Sequence, residues 1–192
     1  MARPRSEEAR RRIVEATVEA LLAVGVEGTT IEEVADRSGV ARSTIYRHFG
    51  AREKLIVEAV RSCLVEHPTP DSGSLDVDLH ELIGRFDHEE NRAGNELLPL
   101  LLDERRRDGA MAAAAQGLLE ERRRPIRTVL KLAQLRGEID PDLDLEIALA
   151  MVLGPLTYRR MVQDEAITDE FISTALPGAI AALRSTARDR VG

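Results

Sequence analysis

Apolar residues recur every three or four positions along most of the chain, which is the spacing of amphipathic helices. In the first such segment, one mainly apolar stripe is formed by Ile13, Thr17, Leu21 and Val24. Gly25 follows the stripe and is expected to end the helix. The sequence shows no alternating strand pattern and no internal repeat. The pattern therefore predicts an all-α protein.

Two short helices are predicted next, on either side of Gly39. Thr30 with Glu33 three residues later is a capping box, in which the threonine hydroxyl accepts a first-turn N–H and the glutamate reaches back. The second short helix runs from about Arg42 to His48, and Gly50 ends it. Two short helices joined by a tight turn that contains glycine form a helix-turn-helix unit.

Six more helices bring the prediction to about nine. A fourth helix from Arg52 to about Glu66 is followed by the linker-like stretch HPTPDSGS, residues 67–74. We therefore divide the chain into two domains, residues 1–66 and residues 67–192. The helices of the second domain are predicted over Leu75 to about Glu90, Glu96–Arg107, Ala110–Arg136, Leu145–Val162 and Asp169 to about Arg188.

The second short helix has two chemically different faces. Successive residues of a helix step by about 100°, so Ile45 and Phe49 fall on one flank while Ser43 and Arg47 fall together nearly opposite. A helix inserted into a DNA groove needs an apolar back and a donor-rich front. The pattern thus predicts a DNA-reading helix with Ser43 and Arg47 at the centre of its exposed surface.

Charge is distributed unevenly along the chain. Residues 1–66 hold 11 Lys or Arg and 11 Asp or Glu, so the remainder carries the whole formal net charge of −7. A neutral module with basic edges, joined to an acidic body, is compatible with nucleic-acid binding by the module alone. Taken alone, the arginine run at the start of the module is more often a solvated helix face. That run contains Arg3, Arg5, Arg10, Arg11 and Arg12.

Composition narrows the class of protein. Aromatic residues make up only 3% of the chain, so the core must be built from aliphatic side chains. Cys63 is the single cysteine, which excludes an internal disulfide and fits a reducing compartment. We interpret it as a core thiol rather than a redox sensor. Neither a targeting segment nor an apolar run long enough to span a bilayer occurs, so we expect a soluble, cytoplasmic protein.

Metal and catalytic sites are not indicated. His80 and His88 lie eight residues apart near acidic residues, but the spacing is not that of a zinc site. No phosphate loop, zinc-protease motif or nucleophile paired with a base is found. An enzyme is therefore disfavoured, and no metal or cofactor is expected. An architectural DNA-binding protein would be basic throughout, and this chain is not.

The segment TTIEEVADRSGVARSTIYRHFGAREKL, with RRRIVEATVEALLAVGVEGTT upstream, resembles the DNA-binding module of TetR-family transcriptional regulators. The resemblance covers roughly residues 7–66, and RGEIDPDLDLEIALAMVLGPLTYRRMV looks like one branch of the family. It implies an N-terminal three-helix helix-turn-helix domain and a C-terminal helical bundle in a homodimer. The shared residues are Thr30, Ala35, Gly39, Val40, Thr44, Tyr46, His48, Phe49 and Leu55.

The same resemblance implies contacts with the DNA backbone. Thr30, Thr44 and Tyr46 would contact phosphates. Arg52, at a position that is often basic in the family, would hold a phosphate at the N-terminus of the fourth helix. His48 would lie between the core and the DNA backbone.

Base reading and helix capping complete the implied module. Arg42, Ser43 and Arg47 would reach base edges or adjacent phosphates. The sequence departs from the family pattern at Ala41 and Ala51, where serine is common. Each alanine removes a side-chain cap, which typically contributes about 1 kcal/mol.

The C-terminal region is expected to bind a small molecule and to dimerise. Four large residues lie on helices that line pockets in the family, although core packing explains them equally well: Phe86, Leu101, Met151 and Tyr158. The last two helices are apolar over more than one face and would be buried on more than one side. Their candidate dimer-interface residues are Ala148, Val152, Leu156, Leu176, Ile180 and Leu183.

The function that this implies is a repressor released from a palindromic double-stranded DNA operator by a small, mainly apolar effector. A TetR-like activator and a ligand-independent DNA-binding protein remain alternatives. The sequence identifies neither the effector nor the operator.

Overall fold

The structure is a computed structural model that describes residues 3–66, 68–85 and 92–185. These residues form nine helices and no strand, which confirms the all-α prediction. The helices are α1 (Arg3–Gly28), α2 (Ile31–Ser38), α3 (Arg42–Phe49), α4 (Arg52–Ser62), α5 (Leu75–Gly84), α6 (Arg92–Arg107), α7 (Gly109–Arg136), α8 (Leu145–Met161) and α9 (Asp169–Ser185).

The turn between α2 and α3 forms as the sequence predicts. Thr30 caps α2, because its Oγ1 accepts the backbone N–H of Glu33 at 3.1 Å. The capping box is only half formed, since the Glu33 carboxylate lies 2.6 Å from Nε of Arg37 instead. Gly39 ends α2 with φ 64°, a left-handed conformation that glycine adopts without strain. α3 begins after Ala41, which provides no side-chain cap.

Several helix ends differ from their predicted positions. Gly25, expected to end α1, is a kink with φ 69° and ψ −175°, and the helix resumes to Gly28. α4 ends at Ser62 rather than near Glu66. α5 is described as a helix to Gly84, and residues 86–91 lie outside the described residues.

The chain forms two compact units, the first made of Met1–Val65 and Arg92–Leu119. One core cluster in this unit lies under the helix-turn-helix and contains Ile31, Val34 and Ile45. A second cluster joins α1 and α4 to α6 and to the start of α7. Residues 92–119 therefore pack with the amino-terminal helices.

The second unit is made of Glu66–Asn91 and Glu120–Gly192. Its core cluster is built from α5, α8, α9 and the later part of α7. Glu138 caps α5 from a distance, since its Oε2 accepts the backbone N–H of Leu75 at 2.9 Å. The first change of unit falls beside the predicted boundary after residue 66, but residues 92–119 belong to the other unit. The functional division at residue 66 stays a prediction.

None of the helices within the described ranges is both long enough and apolar enough to cross a membrane.

Candidate nucleic-acid interface

α3 presents the two faces that its sequence predicts. Ile45 is fully buried in the core cluster under the helix-turn-helix, and Phe49 packs against that cluster. Ser43 and Arg47 are exposed. Arg47 has no hydrogen bond or ion pair within the described part of the chain. Its guanidinium is therefore available to an external partner.

The three hydroxyl-bearing residues that are predicted to contact phosphates are all at least partly exposed to solvent. Tyr46 is 51% exposed, Thr44 is partly exposed and Thr30 is exposed. The Thr30 oxygen already accepts the Glu33 N–H. A hydroxyl has one proton to donate as well as two lone pairs, so capping α2 leaves the Thr30 proton free for a phosphate oxygen.

Arg42 has an intramolecular partner that the sequence did not reveal. Its Nη1 lies 2.9 Å from Oε1 of Glu32 in α2, and both side chains are more than half exposed. An ion pair this exposed contributes at most about 1 kcal/mol. The contact therefore orients Arg42 in the free protein without preventing it from turning to DNA.

His48 lies between the core and the surface, as expected. The residue is partly buried, and its ring centroid is 6.1 Å from that of Phe49. Its Nε2 is buried and has no hydrogen-bond partner among the described residues. A contact between this ring and the DNA backbone stays a prediction.

Arg52 lies in a different environment from the one that the resemblance implies. Its Nε donates to the backbone carbonyl of Thr29 at 2.7 Å, and its Nη2 donates to the carbonyl of Val26. The side chain is 25% exposed. Two of its donors are thus used inside the chain, and the phosphate contact is untested.

The arginine run in α1 is largely engaged within the protein. Arg11 pairs with Glu8 and Glu15, each at 2.7 Å, and these hydrogen bonds raise the pKa of Arg11 above its ordinary value. The hydrogen bond from Arg11 is also the main reason that the pKa of Glu8 is lowered. This run is therefore better explained as a paired, solvated helix face than as a free basic patch. Nothing is described of the side chains of Arg3 and Arg5.

Two other arginines of α1 support the helix-turn-helix. Arg10 pairs with Glu58 of α4, and its guanidinium carbon lies 5.7 Å from the ring centroid of Phe49. Arg12 donates to the carbonyl of Ser38 at the end of α2, where a cation also complements the helix dipole. Sequence reasoning missed both roles because the partners lie far away along the chain.

The four candidate ligand-binding residues do not come together within either unit. Leu101 is fully buried in the core of the first unit, which supports its core-packing alternative. Met151 packs against the core of the second unit, whereas Tyr158 is 57% exposed. Phe86 lies outside the described residues.

The candidate dimer-interface residues are buried within their own unit, and their part in a dimer stays a prediction. Their side chains fill the core of that unit and are at most 6% exposed. The six residues concerned are Ala148, Val152, Leu156, Leu176, Ile180 and Leu183.

Comparisons with known proteins agree with this geometry. Residues 13–59 match the model for bacterial regulatory proteins of the tetR family, and residues 69–177 match the tetracyclin repressor-like C-terminal domain. The uncharacterized HTH-type transcriptional regulator YdeS of Bacillus subtilis (strain 168) is 25% identical, covering 96% of this chain and 94% of YdeS.

Two solved structures are similar over nearly the whole chain. The TetR family transcription regulator SCO0332 is 28% identical with a TM-score of 0.66, covering 91% of this chain and 97% of that one. A TetR-family regulator from Rhodococcus sp. has a TM-score of 0.72 at 22% identity, covering 93% of this chain and 99% of that one. Together with the two matched domains, these likenesses show that the chain belongs to the TetR family of helix-turn-helix transcriptional regulators and is not an enzyme.

Proposed function

We propose that this protein is a homodimeric repressor that binds a near-palindromic operator and releases it when a small, mainly apolar molecule binds. The observation that carries the proposal is α3, whose apolar back is buried while the donors of Ser43 and Arg47 are exposed. A bacterial operator lies in the cytoplasm, so the proposal places the protein there.

Sequence would be read by the front of α3. The guanidinium of Arg47, which has no partner among the described residues, can donate two hydrogen bonds to O6 and N7 of a guanine in the major groove. Ser43 lies beside it and can bond a neighbouring base edge. Arg42 can reach a base or an adjacent phosphate once it leaves Glu32.

Register would be set by the phosphates on either side of the groove. Thr30 at the start of α2 and the two hydroxyls of α3, Thr44 and Tyr46, are the donors available for that purpose. Phosphate contacts fix orientation on the duplex and carry little sequence information. These residues should therefore affect all DNA sequences similarly.

One helix-turn-helix reads half a site, so the proposal requires two copies with their α3 helices about 34 Å apart. The exposed faces of α8 and α9 are the surfaces we assign to the partner. A four-helix contact, two helices from each subunit, would bury them around a two-fold axis. These faces carry both small and large apolar residues: Ile147, Ala150, Gly154, Tyr158 and Met161 in α8, and Gly178, Ala181 and Ala182 in α9.

An apolar effector is supported by the composition of the C-terminal region. That region is rich in aliphatic side chains and carries the whole net negative charge of the chain. Burying an ionic molecule without matched partners costs several kcal/mol. Binding of the effector would favour a dimer state with another spacing between the α3 helices.

Selection of bound duplexes from a random pool tests the proposal. The wild-type protein should enrich one near-palindromic sequence, and footprinting should show two protected half-sites about one helical turn apart. Arg47→Ala should enrich a sequence that is degenerate at one position in each half-site. Failure of the wild-type protein to enrich any sequence would reject operator binding.

A further inference from the structure

The side chain of Arg52 reaches from the first turn of α4 to the segment that joins α1 to α2. Its Nε donates to the Thr29 carbonyl at 2.7 Å and its Nη2 donates to the Val26 carbonyl. Thr29 is only 1% exposed, and its hydroxyl donates to the Gly25 carbonyl at 2.7 Å. The segment is therefore fixed from both sides, by its own threonine and by Arg52.

Among the described residues, the Thr29 carbonyl accepts a hydrogen bond only from Arg52, whereas the Val26 carbonyl also accepts the backbone N–H of Thr29 at 3.2 Å. They follow the kink at Gly25, where the regular hydrogen bonding of α1 is interrupted. Carbonyls at a helix end carry partial negative charge and lack partners within the helix. Hydrogen bonds from a charged donor are about twice as strong as those from a neutral donor. Arg52 thus supplies at this junction what a C-terminal cap supplies elsewhere.

The position of this contact in the chain gives it a further consequence. Thr30, which caps α2, directly follows Thr29, and only Gly50 and Ala51 separate the end of α3 from Arg52. One guanidinium therefore ties the entrance of the helix-turn-helix to its exit.

We propose that Arg52 is a positioning residue for DNA binding, because it clamps residues 26–29 to the first turn of α4. The clamp keeps the spacing between α2 and α3 and makes both helices move together with α4. For its DNA part, this inference rests on the proposed function. It replaces the phosphate contact that the family resemblance implies for this position. The remaining terminal nitrogen, Nη1, lies 3.9 Å from a carboxylate oxygen of Glu53, which makes it a poor site for an anion.

The clamp and the phosphate contact predict different behaviour of a lysine at this position. A lysine binds phosphate well as a point charge, so R52K would keep the affinity if Arg52 contacted DNA. The clamp needs two nitrogens of a planar fork on two carbonyls, which one ammonium group does not reproduce. R52K should therefore fail to rescue the clamp.

Operator affinity measured at several salt concentrations separates the two roles. Each variant is assayed at a temperature at which circular dichroism shows it to be folded. The clamp predicts that R52K and R52A both lose at least about tenfold in affinity, with the wild-type salt slope. R47A, which removes a proposed base contact and leaves the clamp intact, is the control for a loss of affinity without disturbance of residues 26–29. A full-affinity R52K, or an R52A slope reduced by about one phosphate, would overturn the proposal.

Amide hydrogen exchange of the free protein gives a readout that needs no DNA. Residues 26–31 should exchange faster in R52K and R52A than in the wild type, and at the wild-type rate in R47A. Unchanged exchange in these residues, or unchanged operator affinity in folded variants, would reject the clamp. If the wild-type protein selects no DNA, the proposed function fails while the exchange experiment still tests the clamp.

Discussion

Among single residues, Arg47 is best placed to read a base, because it is exposed and has no partner within the described part of the chain. Arg47→Ala should cost about 1–3 kcal/mol of operator binding and relax specificity at one base pair. Tyr46→Phe removes a phosphate donor and should weaken all sequences similarly. Fluorescence anisotropy on the operator, on single-base variants and on random DNA measures both effects. Equal losses on operator and random DNA for Arg47→Ala would contradict base reading.

The ion pair between Glu32 and Arg42 leads to a second prediction at this scale. Glu32→Gln frees Arg42 and removes a carboxylate from the proposed DNA face, so affinity for any duplex should rise several-fold at low salt. The gain should shrink as salt is added, because both effects are screened. Glu19→Gln is the matched control, since Glu19 is exposed in α1 and has no ion pair among the described residues. A gain of the same size in both variants would show a general charge effect only.

Cys63 should be a slow thiol. It packs half-buried against the core of the first unit, and burial raises the pKa of its thiol above the ordinary value. The thiolate is the reactive form, so at pH 7–8 the folded protein should be alkylated more slowly than the same chain in denaturant. The alkylation rate of the folded protein should increase over a higher pH range than that of a free cysteine, because the pKa of its thiol is raised. Faster alkylation of the folded protein would restore the redox-sensor interpretation.

At the residue scale, the faces of α3 could be predicted from the sequence because they depend only on the helical step of eight consecutive positions. The environment of Arg52 could not, because its carbonyl partners lie 23 and 26 residues earlier in the chain. The assignment of the dimer-interface candidates stays a prediction for a related reason. Apolar character shows that a side chain is buried, but it does not show whether its own chain or a partner buries it.

At the scale of elements, the sequence predicts the end of a helix where a single residue caps or terminates that helix. Thr30 and Gly39 mark the two ends of α2. At the start of α9, the Thr168 hydroxyl accepts the N–H of Phe171 at 3.2 Å. The end of α1 is different. Gly25 predicts the end of the helix, but it forms a kink with φ 69°, after which a last turn continues to Gly28 with Val26 buried in the core.

α9 allows a sharp test of dimerisation, because Ala181 is exposed while its neighbour Ile180 is 1% exposed. Ala181→Glu should place charges at the proposed subunit contact and give folded monomers with much weaker operator binding. Ile180→Asp should instead unfold the second unit, because it buries an unpaired charge. Sedimentation velocity at micromolar concentration and circular dichroism distinguish the two results. A wild-type monomer, or an Ala181→Glu dimer of unchanged affinity, would contradict the proposed contact.

At the scale of the whole molecule, the sequence predicted two parts but not which segments form them. The Pro- and Ser-rich stretch after residue 66 marks the first change of unit, as its composition indicates. No such signal marks the return of residues 92–119 to the first unit or the second change inside α7, after Leu119. An amphipathic pattern shows that one face of a helix is buried, but it does not show which other element covers that face.

The last prediction concerns coupling between effector and operator, which is a property of the whole dimer. A 100-fold loss of operator affinity requires about 2.7 kcal/mol of differential effector binding between the two dimer states. Binding linkage is reciprocal, so the operator must weaken effector binding by the same factor. Apolar compounds that raise the melting temperature of the free dimer should therefore be titrated against the free dimer and against a preformed operator complex.

The switch would be established if the compound weakened operator binding by the same factor as the operator weakened binding of the compound. A compound that stabilises the free dimer but leaves operator affinity unchanged would show a pocket that is not coupled to DNA binding. The Ala181→Glu variant gives a further comparison. A monomer has a single α3 helix, so a compound that binds to it cannot change a distance between two α3 helices. In that variant the compound should no longer affect the residual binding to a single half-site. If the compound still releases the half-site, it acts within one subunit, and a change in dimer spacing is not the mechanism.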